Sequence, residues 1–301
     1  MLLISQLPGC APAQEEEDAA FELRHITAIS RPIYAVARNI VSDIPDVLLD
    51  ILIQPQDGCL RTYNLSEWDA ILISQTDALV IGGRGFEAFE AALEEMVNGP
   101  LIISLMANTE LIRNGEMASE EANHFEGENP WLFLSTGGAQ TMAEGFTELI
   151  TTIDATHEAI YHENLSDFIG RLYLLRHDMK SMLEPIAHHP IALMHEGLEY
   201  FTDEWSLNVT ESIAREPGTT FGDMEWEDVL SRLHASGAKA VVVERQAPMP
   251  LTSMLSDAGF KVIRFDTLST LRVDGDKYIY ETAMLNNAKA FSDAFEIGST
   301  Q

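Results

Sequence analysis

Basic side chains are scarce in this chain: 18 Lys and Arg stand against 48 Asp and Glu, for a net charge of −30 at pH 7. Such a field repels phosphate backbones and anionic lipid surfaces, which argues against nucleic acid as a partner and is met by a solvated acidic exterior. Cysteine is almost missing too. Cys10 and Cys59 are too few for a disulfide framework, and their spacing implies no bridge. No apolar run approaches the roughly 18 to 20 residues that cross a bilayer as a helix. What is present is 301 residues, 46% of them apolar and 22% charged, enough for a sizeable core and for two domains.

The first half alternates apolar runs with helical segments: "RHITAIS", "RPIYAVARNIV", "VLLDILIQ", "LSEWDAILISQ", "ALVIGG", "GFEAFEAALEEM" and "PLIISLM". Continuous apolar strands between amphipathic helices predict a parallel sheet covered on both faces. A polar stretch over 108–129 follows and reads as a long surface loop, with six glutamates (110, 116, 120, 121, 126 and 128) and one histidine, His124. A helix is predicted from about Gly138 to Ile153. A longer one follows, in which Leu165, Phe168, Ile169, Leu172, Leu175, Met179, Met182, Leu183 and Ile186 form one apolar stripe, with Pro185 at its end. At ~1.5 Å per residue this helix outreaches a single small domain. The alternation then resumes with "PIALMH", "LEYFTDEW", "LNVTESI", "WEDVLSRLHASG", "AKAVVVE", "PLTSMLSDAG" and "KVIRFD", and ends on a final helix; Gly237 and Gly259 are placed as C-terminal caps.

The expected fold is α/β, two lobes with parallel sheets joined by one long interlobe helix, with a ligand cleft between the lobes. The expected boundaries are an acidic leader over 1–23, a first lobe over 24–154, the connecting helix over 155–186 and a second lobe over 187–301. The opening "MLLISQLPGCAPAQEEED" is similar to the tail of a bacterial lipoprotein signal, with Cys10 as the acylated residue, although no basic segment precedes its short apolar run.

Other motifs are weaker. "GGRG" at 82–85 lacks the Lys and Ser or Thr of a phosphate loop and the spacing of a dinucleotide fingerprint, so it reads as a tight turn. His188 and His189 are adjacent, point apart and flank Pro190, which suits a surface turn. His157 and His162, five apart, fall on different helical faces and are expected in solvent. No Ser or Cys sits in a nucleophile elbow, so no enzyme and no organic cofactor are expected.

In order and spacing, several segments resemble the metal-binding solute-binding proteins of bacterial ABC uptake transporters for zinc and manganese. "ITAISRPIYAVARNIV" is similar to that family's opening strand and helix, and "ALVIGGRGFEAF" to its third strand and turn. "NPWLFLSTGGAQTMAE" is similar to its Asp-Pro-His-Val-Trp-Leu-Asp-Pro segment, "IALMHEGLEYF" to its strand ending in a ligand, "AKAVVVERQAP" to its Val-Glu-Pro-Gln strand and "VIRFDTL" to its strand ending in Asp-Pro-Leu.

The resemblance implies four metal ligands, two from each lobe. Carried over, His195 takes the third position and Asp266 the fourth; Cys59 falls at the first and Trp131 at the second. A thiolate, an imidazole and a carboxylate suit zinc, but an indole N–H has no lone pair to give. Glu244 and His124 are candidates for a missing donor, and Trp131, Tyr63 and Arg61 for stacking on or pairing with an organic guest.

The implied function is an envelope or periplasmic binding component of an ABC importer, monomeric and in some forms lipid-anchored. It would present a divalent metal, zinc or manganese, to a permease in the cytoplasmic membrane. The alternative is a relative with a degenerate metal site that binds a small organic or metal-chelate ligand, or serves as a scaffold.

Overall fold

The computed structural model describes residues 24–53, 63–87, 89, 93, 101–107, 109–112, 128–213, 220–269 and 276–295. In the first lobe, strands β1 (Arg24–Ala28), β2 (Val47–Ile51), β3 (Ala78–Ile81) and β4 (Leu101–Ser104) form an all-parallel sheet in the order β2-β1-β3-β4. In the second, β5 (Ile191–Leu193), β6 (Val209–Ser212), β7 (Ala240–Glu244) and β8 (Lys261–Phe265) repeat that order as β6-β5-β7-β8. The inner strands β3 and β7 are buried along their whole length, which is why they read as unbroken runs, ALVI and AVVVE. Strand period divides β7 between two cores. Ala240 and Val242 join the large core, while Val241 and Val243 enter a smaller one with Leu233 of α6 (Asp223–Ser236) and Leu251 and Leu255 of α7 (Met249–Asp257).

The remaining helices are α1 (Arg31–Val41), α2 (Glu67–Ser74), α3 (Thr136–Ile153), α4 (Glu158–Leu183), α5 (Glu199–Glu204) and α8 (Ile279–Ala294). The interlobe helix α4 has 26 residues, about 39 Å at its ordinary rise. A 3-10 turn, Ala155–His157, precedes it, and a second, Glu184–Ile186, follows it at Pro185. The buried face of α4 carries Tyr161, Phe168, Leu172, Leu175, Met179 and Leu183, and rests on α1 and α3 of the first lobe and on α8 of the second. Each such side chain contributes about 1.5–3 kcal/mol on burial, so one continuous core ties both lobes to this helix.

Polar contacts add to the junction. Glu204, at the end of α5, accepts hydrogen bonds from the amides of Thr136 (2.9 Å) and Gly137 (3.2 Å) and from the Thr136 hydroxyl (2.5 Å). A second-lobe carboxylate thus caps the N-terminus of a first-lobe helix, where the helix dipole favours negative charge. Buried Tyr280 of α8 donates to the carbonyls of Phe133 and Ser135, both at 3.0 Å. Burial, together with Glu204 and Glu281, holds its phenol well above the usual tyrosine range, against the opposing pull of Arg176.

His162 is exposed as helical spacing predicts, but His157 is not. Residue 157 belongs to the 3-10 turn before α4, so α-helical spacing does not govern it. Its Nδ1 lies 2.5 Å from Asp154 Oδ2 and its Nε2 3.1 Å from Asp46 Oδ1, while Tyr161 donates to the same Asp154 oxygen at 2.8 Å. The imidazole pins the start of the interlobe helix to the loop before β2. The His188 and His189 pair does lie in a turn at the far end of this helix, but the two rings do not point apart: their centroids are 4.2 Å from each other. His189 stacks on Phe295, with rings 4.4 Å apart, and its pKa is lowered by desolvation and then by His188 and Lys261.

Candidate functional site

In a sheet ordered 2-1-3-4 the chain reverses direction of winding between its first and third strands, and the carboxyl ends of those strands border a crevice. Here the crevices lie at β1/β3 and at β5/β7. The second lobe's crevice is bordered by His195 after β5, Glu244 and Arg245 at the end of β7, and Asp266 just past β8. The first lobe's is bordered by Ser30 and the start of α1, and by Gly82 to Gly85 after β3.

The second-lobe wall is polar, and His195 and Asp266 are both held in it. His195 is 6% exposed and its Nδ1 accepts the Gly197 amide at 3.0 Å. Asp266 is 5% exposed. Its Oδ1 accepts from the Leu268 amide at 2.9 Å, and its Oδ2 meets Arg245 Nη1 at 2.9 Å. Asn287 of α8 clamps the same residue by its backbone, accepting from the Asp266 amide at 2.7 Å and donating to its carbonyl at 2.9 Å. Glu244 is fully buried at the last position of β7.

The first-lobe wall is aromatic. Trp131 precedes a 3-10 turn, Leu132–Leu134, and its amide donates to Asn129 Oδ1 at 3.1 Å. Its indole packs edge-to-face on Phe86 (centroids 5.3 Å) and near Phe133 (5.6 Å), and crosses the cleft to His195 at 4.6 Å and 83°. Gly197 permits this approach. A Cβ built there would lie 2.5 Å from Trp131 Cγ, closer than real Cβ atoms come, and 3.0 Å from His195 Cε1, a tight contact. The buried indole Nε1 has no hydrogen-bond partner among the described residues.

Beside Trp131, the turn predicted from "GGRG" has positive φ at Gly83 (82°), Arg84 (60°) and Gly85 (79°). Buried Glu87 steadies it by accepting the amides of Gly82 (3.0 Å) and Gly83 (3.3 Å), and Arg84 pairs with Glu128. Nearby, Tyr200 of α5 accepts the Ile112 amide and donates to the Asn129 carbonyl, both at 2.8 Å. Its phenol is raised above the usual range chiefly by burial.

The structure therefore brings Trp131 onto His195 and sets Asp266 on Arg245. Tyr63 does something more local: its hydroxyl donates to Asp69 Oδ2 at 2.9 Å within the Ser66–Asp69 capping box of α2, and its ring packs on Phe89. Cys59, Arg61, His124 and Cys10 lie outside the described residues. Among the described residues no group of three or more His, Cys, Asp or Glu is placed to hold a metal ion, and no helix is long and apolar enough to cross a membrane.

Sequence reasoning missed Arg245, Asn287 and Gly197. A signal existed for the first, because Arg245 stands where the Val-Glu-Pro-Gln pattern has proline. Asn287 and Gly197 carry no local signal, since their partners are distant in sequence or defined by packing.

A family model described as zinc-uptake complex component A, periplasmic, matches residues 26–294. Among solved structures, the SBP FpvC of Pseudomonas aeruginosa in complex with Mn2+ is similar at 22% identity and a TM-score of 0.78, over 91% of this chain and 99% of that one. A crystal structure of ZnuA matches at 17% identity and a TM-score of 0.74, over 90% and 98%. A periplasmic metal binding protein of Candidatus Liberibacter asiaticus matches at 15% and 0.72, over 90% and 99%. At these identities the likeness is one of fold. No curated protein matches the chain by sequence.

Proposed function

The chain belongs to the family of periplasmic zinc-uptake complex component A proteins, and from that premise we propose that it captures a divalent cation of the zinc or manganese class in its interlobe cleft and presents it to an ABC permease in the cytoplasmic membrane. The observation that supports this reading is the second-lobe wall. His195 and Asp266, an imidazole and a carboxylate, are both buried and both sit just past strand ends that border the crevice. Cys59 supplies a third donor in this reading, with Glu244 or His124 as a fourth. The protein acts as a monomer in the periplasm or at the cell envelope, with Cys10 as the site of a lipid anchor. Its role is binding and not turnover.

A second reading is favoured by Trp131, an indole in place of a ligand. It is a cleft reshaped for a metal chelate or a small organic molecule, with Trp131, Tyr63 and Arg61 contributing, or a fold kept as a scaffold.

Calorimetric titration separates the readings. The reduced, chelator-stripped chain is titrated with Zn2+ and Mn2+ beside a His195→Ala, Asp266→Ala double variant. Saturable binding at micromolar Kd or tighter, about −8 kcal/mol, that is lost in the double variant supports metal capture. No saturable binding by the wild-type chain rejects it and turns the search to chelates and protein partners.

A further inference from the structure

We propose that Arg245 is a resident counter-cation of the cleft, which an incoming metal ion must displace from Asp266 and which therefore sets the affinity of the site. This rests on the metal-capture reading above and concerns a residue outside its ligand set.

Both oxygens of the Asp266 carboxylate are engaged, but unequally. Oδ1 receives a backbone amide from Leu268, a contact fixed by the chain itself. Oδ2 receives, among the described residues, the Arg245 guanidinium alone, at 2.9 Å. A zinc–carboxylate bond of about 2.0–2.2 Å to that oxygen would put a dication against a guanidinium held at hydrogen-bond distance. Like charges at that separation repel strongly in a partly desolvated site. The two cations are therefore alternatives at Oδ2.

Exposure decides which partner moves. The Asp266 side chain is 6% exposed and its backbone is clamped on both sides by Asn287. The Arg245 side chain is 64% exposed, so it can swing into water without opening the core. Its backbone stays in place meanwhile, because its amide donates to the Phe265 carbonyl at 2.7 Å and its carbonyl accepts from Arg264. The exchange thus breaks one ion pair and leaves the strand ends as they are. The same pair neutralises a buried carboxylate that would otherwise stand uncompensated.

The test is Zn2+ calorimetry on the full chain in four forms: wild type, Arg245→Gln, Arg245→Lys, and Arg245→Gln combined with His195→Ala and Asp266→Ala. Thermal melting of each form shows that it is folded. The expected result is at least tenfold tighter Zn2+ binding by Arg245→Gln, a gain of about 1.4 kcal/mol, with Arg245→Lys within threefold of wild type and no binding by the combined variant. A merely structural arginine would not raise affinity when removed. Equal or weaker binding by Arg245→Gln overturns the counter-cation role while metal capture stands. Absence of Zn2+ binding in both wild type and Arg245→Gln overturns metal capture and the counter-cation together.

Discussion

The two lobes share a strand order and differ at the ends of their strands. The first lobe presents an aromatic wall, Trp131 backed by Phe86 and Phe133, with its polar groups, Glu87 and Asn129, turned to hold backbone. The second presents His195, Arg245 and Asp266. The sheets are constrained by burial on both faces, so the repeat survives in β3 and β7. The loops past the carboxyl ends carry no such constraint, and there the lobes differ. Among the described residues the first lobe meets the cleft with aromatic contact and the second with polar side chains.

The largest way to break this contrast is to remove the aromatic wall. Trp131→Ala deletes an indole packed among Phe86, Phe133 and His195, and should cost about 3–5 kcal/mol in urea unfolding; a loss below about 1 kcal/mol would mean the wall is not a packed core. Gly197→Ala should cost about 1–3 kcal/mol, because its Cβ meets the indole. In a Trp131→Ala background that cost should largely vanish, a non-additivity that a double-mutant cycle reads directly.

Glu204→Gln sharpens the comparison at the other interlobe contact. It removes the charge that caps α3 and should lower stability by about 1–2 kcal/mol, with no change in metal affinity by calorimetry. The smallest effect is alkaline. Tyr280 holds its neutral phenol between the lobes, while in the unfolded chain it ionises near its ordinary pKa of about 10. Its contribution is therefore fully present below pH 10 and is lost as pH rises above it. Absorbance at 295 nm should show this tyrosine ionising only with unfolding, and Tyr280→Phe should flatten the pH dependence.

Much of the scaffold was legible because burial writes itself into period. The segment "RPIYAVARNIV" is helix α1 from end to end, and the stripe from Phe168 to Leu183 is the buried face of α4. Tyr161 was missed from that stripe because its polar hydroxyl disguises a fully buried ring that reaches Asp154. His157 was misread because a 3-10 turn does not keep helical spacing. His195 and Asp266 were picked out by their match to the resembled family's strands ending in a ligand, and the structure buries both. The Arg245 ion pair was not, since it joins neighbouring strands across 21 positions of sequence. Nor was the reach of Trp131 to His195, which depends on how two lobes meet.

The most direct measurement is zinc K-edge X-ray absorption on the loaded full chain, wild type beside His195→Ala. The expected spectrum has imidazole and carboxylate scattering and a sulfur shell at ~2.3 Å from Cys59, with the imidazole component lost in His195→Ala. A spectrum of oxygen alone, unchanged by that substitution, would place the ion on the acidic surface and contradict a cargo site between the lobes.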